Sequence, residues 1–423
     1  MKLVGHYCVA LTSISITSFL INKRSLMQKM VTLMRIILGC DPLLQPLTGI
    51  GNYTKQLSLN LLKSIEVEEL FLFAHGKFFP EINLLGPDIA LNKTVSKKGN
   101  FLQRLRKSLA ASPSAVKCYQ SVMPTINRIA LRDYSDCIYH SPNFVLPPFD
   151  GKKVVTVHDL STIKYPNFHP IARVNFVNNA LETVSKDADH IITVSDVVKR
   201  EIIDTLGVNE DRVSAVPLGA SMHFKVRTER ETKALLKSYN LEYKKFFLFV
   251  STLEPRKNLE NLLDAFEAFK ERTNSPIPFV LVGGNGWNNS AIEKRINKLS
   301  SKRWVKHLGY LPQTEIHLLY SSAKALLFPS VYEGFGLPVL EAMQSGTPVL
   351  TSRKTSMDEI TNGSAVLVEH DDVDDITDGI TRLAIDDVLC QQLTESGLIR
   401  AKEFSWQNCT QQTIDLYSRL KKI

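Results

Sequence analysis

The sequence predicts an α/β protein made of two doubly wound domains, each a parallel sheet wrapped by helices, facing one another across a cleft. Three observations carry that prediction. At 423 residues, 44% hydrophobic and 22% charged, the chain exceeds the ~100 to 200 residues usual for one core. From Met34 onward short apolar runs alternate with amphipathic stretches, as expected where helices cover both faces of a sheet. A polar, charged stretch between Gly219 and Lys245 interrupts this rhythm before a new strand restarts it. Domains are therefore expected at 34–225 and 226–404, followed by a terminal helix at 405–423.

Residues 1–33 carry Lys2, an apolar run from Leu3 to Ile21 diluted by Ser and Thr, and then Lys23, Arg24 and Lys29. The run includes His6, barely reaches the ~20 residues a membrane-spanning helix needs, and lacks a clear small-residue cleavage site. It reads as a leader outside the folded protein, with an anchor and an ordered segment as alternatives. Met34-Arg35-Ile36-Ile37-Leu38-Gly39 reads as the first strand and is itself a suitable start of translation.

Thr48-Gly49-Ile50-Gly51-Asn52-Tyr53 follows that strand and precedes an apolar helix around Leu57, Leu61 and Leu62. Without a third glycine this is a weak phosphate fingerprint and equally a flexible turn. Val154 to Val157 is a strand that ends in His158 and Asp159; alone, such a pair is more often structural than catalytic. Asp187-Ala-Asp189 precedes the strand Ile191 to Val194, the wrong end for a metal-binding Asp-x-Asp, and reads as a helix end.

In the second half, the strand Phe246 to Val250 leads into Ser251-Thr252-Leu253-Glu254-Pro255-Arg256-Lys257-Asn258. Asn258 is expected to cap a helix whose buried stripe is Leu259, Leu262, Leu263, Phe266 and Phe269. Arg256 and Lys257 would present two cations at the start of that helix, where they could hold a diphosphate through charge-assisted bonds. Phe279 to Val282 and Ala325 to Phe328 are further strands. After the last of these, Ser330 to Pro348 reads strand, glycine loop, helix, with Pro338 suited to the first turn and Gly346 to the end. The loop Glu333-Gly334-Phe335-Gly336-Leu337 then offers backbone N–H groups beside a positive helix end, and Glu333 and Glu341 can accept bonds from polyol hydroxyls. The acidic run Asp371, Asp372, Asp374, Asp375 reads as a solvated helix start.

The Glu-x7-Glu spacing of Glu333 and Glu341 within EGFGLPVLE closely resembles retaining family-4 glycosyltransferases of the GT-B fold, and the resemblance runs from about Met34 to the C-terminus. It implies two Rossmann-like domains facing a cleft, with the helix after Phe404-Ser405-Trp406 crossing back to the N-terminal one. It also implies roles: Glu333 and His158 at the transferred sugar, Asp159 supporting His158, Glu341 on the nucleotide ribose, and Arg256 and Lys257 on the donor diphosphate. Gly49 and Gly51 would face that diphosphate across the cleft, and Gly334, Phe335, Gly336 and Leu337 would line the donor. One departure stands out: Ser251 occupies a position where the family usually has Gly, which narrows the phosphate approach. TGIGNYT, LEPRKN and EGFGLPVLEAM together resemble mannosyltransferase-like members that use GDP-mannose and extend bacterial surface polysaccharides. These strings read phosphate and ribose more than the sugar, so a UDP-sugar transferase and a nucleotide-sugar epimerase of similar fold stay as alternatives. The expected partners are a nucleotide sugar and a glycan or lipid-linked glycan acceptor, with no cofactor and no metal.

The six cysteines are scattered without a Cys-x-x-Cys pair, which fits a reducing, cytoplasmic setting and argues against a zinc site. The net charge of +8 is unevenly placed. Residues 1–33 carry four basic and no acidic residues, 34–225 carry 22 against 18, and 226–423 balance at 25 each. Nine of the basic residues lie between Ile89 and Arg132 with no Asp or Glu, interleaved with Phe101, Leu102, Leu105 and Leu109. That stretch, residues 89–132, reads first as a solvated helix packed on its domain; the alternative is a docking face for an anionic membrane surface, which would place a cytoplasmic protein at the inner face of the cell membrane.

Overall fold

A computed structural model describes residues 33–44, 49–80, 113–284, 286 and 290–421. The leader up to residue 32, Thr48, and the basic stretch from 89 to 112 lie outside the described residues.

Two sheets organise the chain. The first contains β1 (Met34–Gly39), β2 (Val67–Ala74), β3 (Lys77–Phe79), β4 (Ile138–Ser141), β5 (Lys152–Val157), β6 (His190–Thr193) and β7 (Val213–Ala215), in the order β3-β2-β1-β4-β5-β6-β7. All neighbours are parallel except the β2–β3 hairpin. The second contains β8 (Phe247–Val250), β9 (Phe279–Val282), β10 (Val305–His307), β11 (Ala325–Phe328), β12 (Val349–Ser352) and β13 (Val366–Val368), all parallel, in the order β10-β9-β8-β11-β12-β13. Strand order reverses between β1 and β4 in one sheet and between β8 and β11 in the other. At such switch points the flanking loops splay apart and leave a crevice at the carboxyl ends of the strands.

The helices that matter for the site are α1 (Gly49–Leu61), α2 (Asp196–Leu206), α3 (Leu259–Thr273), α4 (Leu337–Gln344) and α5 (Trp406–Lys421). The predicted stripe of α3 is fully buried. Asn258, however, does not cap α3 with its side chain. It sits in the left-handed region at φ 61°, and its Nδ2 donates to the Pro329 carbonyl at 2.9 Å and the His370 carbonyl at 2.5 Å. Buried carbonyls without a ladder partner need a donor, and satisfying them ties the loop after β8 to the loops after β11 and β13. The polar stretch between Gly219 and Lys245 also differs from expectation, because it contains a helix, Glu229–Ser238, held by a reciprocal capping box between Thr228 and Glu231.

Helix α5 crosses back onto the first sheet. It buries Trp406, Cys409, Ile414 and Tyr417, and the Tyr417 hydroxyl meets His140 Nδ1 at 2.5 Å. His140 Nε2 continues to Thr156 Oγ1 at 2.8 Å, which meets the Tyr53 hydroxyl at 2.9 Å. Burial pushes the His140 pKa down to about 3, so this chain stays neutral and works as a structural tie beneath the cleft. Among the described residues no helix is long and apolar enough to cross a membrane.

Candidate active site

The second sheet's switch point gathers Arg256, Lys257 and Glu333 of the charged residues singled out above. The loop after β8 ends in a single 3₁₀ turn, Pro255–Lys257, so Arg256 and Lys257 precede α3 rather than open it. The loop after β11 delivers Glu333 to the same place. Arg256 Nη1 donates to Glu333 Oε2 at 2.9 Å and to the Tyr332 carbonyl at 2.8 Å; Lys257 Nζ reaches Glu333 Oε1 at 2.5 Å. Ser330 Oγ adds a third bond to Glu333 Oε1 at 3.1 Å. Glu254, which sequence reasoning passed over, accepts from Arg256 Nη2 at 2.9 Å and is 5% exposed. Its signal was its place two residues before Arg256 at the mouth of a turn.

Burial penalises the charges of Glu333, Arg256, Lys257 and Asp159, and partners decide the outcome. Burial alone would raise the Glu333 carboxyl, but Arg256 and Lys257 hold it below the usual range. Burial likewise works against the Arg256 cation, which Glu333, Asp159 and Glu254 overcome, leaving it firmly protonated. Lys257 comes out lower than an ordinary lysine because burial and the adjacent Arg256 outweigh Glu333 and Glu254. Asp159 is pulled down by Arg256 and by the Ser161 N–H, against its own burial.

The first domain closes over this cluster. At Gly334 a Cβ would lie 1.8 Å from the His158 carbonyl oxygen, so only glycine allows the two domains to approach here. Ser195 Oγ donates to the Gly334 carbonyl at 2.7 Å, and the Tyr332 hydroxyl donates to Glu201 at 2.6 Å while accepting from the Leu160 N–H at 3.0 Å. Glu359, from the second domain, accepts from the Asp196 and Val197 N–H groups at the start of α2, each at 2.9 Å. A carboxylate at a helix N-terminus is favourable, and this one braces the closed arrangement.

His158 and Asp159 stand beside Glu333's loop; Asp159 favours the His158 cation through space, while each makes its own hydrogen bond to the backbone. His158 Nε2 donates to the Pro142 carbonyl at 2.9 Å, burial lowers the ring's pKa, and Asp159 Oδ1 accepts from Ser161 N–H at 2.9 Å. Gly49 and Gly51 form the first turn of α1 rather than a loop before it, because first-turn amides lack intrahelical partners and glycine costs least there. Open space surrounds Gly49, whereas Gly51 is buried, and Tyr53 of the same helix packs edge-on to His158 with ring centroids 5.1 Å apart.

In the glycine loop, Gly336 takes φ 106° to start α4, whose second residue is Pro338. Phe335 lies in the middle of that loop. Its side chain is buried against Phe404 at 5.9 Å between ring centroids, which leaves only its backbone for a ligand; Leu337 is half-buried at the helix start. Glu341 lies in the second turn of α4. Burial without a cation pushes its pKa up to about 8, and the buried Tyr320 hydroxyl beside it closes no well-formed bond. Asp187 ends the helix Ile171–Asp187, and Asp189 accepts from Lys153 N–H at 2.8 Å; Asp372 caps the helix Val373–Ile385 through the Asp374 and Asp375 N–H groups.

Comparison with known proteins agrees in both halves. Residues 47–223 match the model of "Glycosyltransferase Family 4", and residues 232–399 match that of "Glycosyl transferases group 1". The chain is 37% identical over 387 residues to the O-antigen chain mannosyltransferase B of Escherichia coli, covering 92% of this chain and all of that protein. It is 29% identical over 226 residues to the O-antigen chain mannosyltransferase RfbU of Salmonella typhimurium, covering 53% of this chain and 59% of that protein. Among solved structures, the sucrose-phosphate synthase of Thermosynechococcus elongatus superposes with a TM-score of 0.63 at 21% identity, covering 92% of this chain and 99% of that one. HepE of Anabaena, solved with UDP and glucose, gives 0.63 at 14% identity over 91% of this chain and 99% of its own.

Proposed function

The chain belongs to the family-4 glycosyltransferases, and we propose that it is a retaining mannosyltransferase that takes mannose from GDP-mannose and adds it to a lipid-linked glycan during surface-polysaccharide synthesis. The observation that supports this reading best is the buried Arg256–Lys257–Glu333 cluster at the donor-side switch point, pressed against His158 through Gly334. Mannose, in preference to another hexose, rests on the full-length likeness to an O-antigen mannosyltransferase.

In this reading the diphosphate takes over the cations that Glu333 holds, and Glu333 turns to the sugar hydroxyls. Arg256, Lys257 and the N–H groups of Gly334 to Gly336 stabilise the negative charge that grows as the anomeric bond breaks. The acceptor hydroxyl attacks from the face the diphosphate leaves, and the departing phosphate oxygen takes its proton. His158, neutral and held by Pro142, contacts the sugar without supplying charge. Two side-chain cations do the work a divalent ion could otherwise do, so transfer is expected to survive EDTA. The enzyme works at the inner face of the cell membrane, where a lipid-linked acceptor presents its glycan.

A thermal-shift panel of GDP-, UDP-, ADP- and dTDP-sugars separates donors, because a ligand that binds the native state raises the melting temperature. GDP-mannose is expected to give the largest rise. A larger rise with a UDP-sugar would overturn the donor, and none with any of them would overturn the function.

A further inference from the structure

We infer that Glu254 is a positioning residue that holds the Arg256 guanidinium in its working orientation, so that Glu333 can leave Arg256 without Arg256 following it. This rests on the donor-binding reading above.

The cluster of Glu254, Arg256, Lys257, Glu333 and Asp159 contains two cations and three carboxylates. Asp159 and Glu333 are both held in their charged forms, so no cation is spare when a diphosphate arrives. One carboxylate must give up its hold, and the two glutamates are not equivalent. Glu333 lies on the glycine loop and bonds Arg256, Lys257 and Ser330 together. Glu254 precedes Pro255, whose ring stiffens the chain, and it accepts from one corner of Arg256 only, Nη2 at 2.9 Å, with Lys257 at 3.9 Å. Its side chain is 6% exposed, so it has little room to move.

A guanidinium is a planar fork that must be fixed at more than one point to keep its direction. With Glu333 gone, Arg256 retains the Tyr332 carbonyl on Nη1 and Glu254 on Nη2, two anchors on different nitrogens. Its Nε–H is buried without an acceptor. Pinned at both Nη atoms, Arg256 keeps the Nη1 hydrogen that Glu333 releases available for a diphosphate oxygen. Without Glu254 the fork would hang from one backbone carbonyl.

The test compares Glu254→Ala and Glu254→Gln in the full-length enzyme, using GDP binding by calorimetry and the single-turnover rate of transfer from GDP-mannose to acceptor in membrane extract. Glu254→Ala removes a negative charge and an anchor, so GDP should bind as tightly as to wild type or up to about tenfold more tightly, while the single-turnover rate falls about 10- to 100-fold. Glu254→Gln keeps an oxygen for Nη2 and should recover most of that rate with GDP binding no weaker than that of wild type. A merely structural Glu254 would lower binding and rate together, and that result, a wild-type rate in Glu254→Ala, or no recovery in Glu254→Gln, would overturn the inference. If Glu254→Ala does not fold, Glu254→Asp, which keeps the charge but shortens the reach, replaces it, with rate loss and unchanged GDP affinity expected. If wild type binds neither GDP nor UDP, the donor-binding reading itself fails, a result distinct from all of these.

Discussion

Two carboxylates on one loop–helix segment, Glu333 and Glu341, meet opposite electrostatic fates. Burial disfavours the charge of both. At the loop end, Arg256 and Lys257 more than offset it and keep Glu333 ionised; within α4, Glu341 has only the Tyr320 phenol for company and rises to about 8. When surroundings push two acids apart in this way, they are suited to different tasks. The loop acid is a fixed anion held by Arg256 and Lys257, and in the proposed function a diphosphate would compete with it for those cations. The helix acid is largely neutral at pH 7 and gains charge only at a cost a ligand can offset.

The sharpest way to break the contrast is to remove its cause. Arg256→Ala leaves Glu333 and Glu254 short of a partner in a buried site, which should cost about 3–5 kcal/mol of stability and lower transfer about 10²- to 10³-fold. Denaturant melts and turnover measured on the same preparation check both. Retained activity would show that Arg256 is not at the diphosphate. Arg256→Lys should recover little, since an ammonium cannot reach Glu333, Tyr332 and Glu254 together.

A smaller change acts on the anion itself. Glu333→Gln frees the cations and should lower transfer about 100-fold, while the affinity for GDP holds or rises. The pH dependence of stability should change as well. Because the folded carboxyl of Glu333 lies below its usual value, its contribution is present above about 4.5 and is lost as the pH falls through the lower folded value. The variant's melting temperature should therefore drop less steeply on acidification than that of wild type. A loss of GDP binding in step with transfer would mean that Glu333 holds the nucleotide and not the sugar.

The part of this contrast that the sequence carries is the local part. Strand runs such as Phe279–Val282 and Ala325–Phe328, the apolar stripe of α3, and the Pro338 and Gly346 signals around α4 are periodic or conformational, and each is set within a few residues. What the sequence could not display is partner choice across the fold. Asn258 has the composition of a cap, yet two carbonyls from distant loops claim its amide. Asp159 is adjacent to His158 in sequence, yet its own burial and Arg256 weigh on it more than His158 does, and Phe335 faces Phe404 although it sits between two glycines. Even the opposite ionisation of Glu333 and Glu341 is invisible in a string where both are simply Glu.

The gentlest test is a pH titration that sharpens the comparison from the Glu341 side. If the ribose hydroxyls donate to Glu341, binding favours the carboxylate, since charge-assisted bonds are roughly twice as strong as neutral ones. Deprotonating a group with a pKa of about 8 costs progressively less as the pH rises from 6 to 8, so GDP affinity should increase by up to about 50-fold over that range and level off about one pH unit above it. The terminal phosphate of GDP titrates near ~6 on its own account, but it does so equally with Glu341→Gln, so the difference between the two proteins isolates the side chain. Stability provides an independent sign. A carboxyl raised on folding favours the native state fully below its ordinary value of 4.5 and loses that contribution as the pH climbs to about 8. The melting temperature of Glu341→Gln should accordingly gain on wild type between pH 5 and 8. Parallel GDP-affinity curves for the two proteins would remove the ribose role, and parallel melting curves would remove the raised pKa.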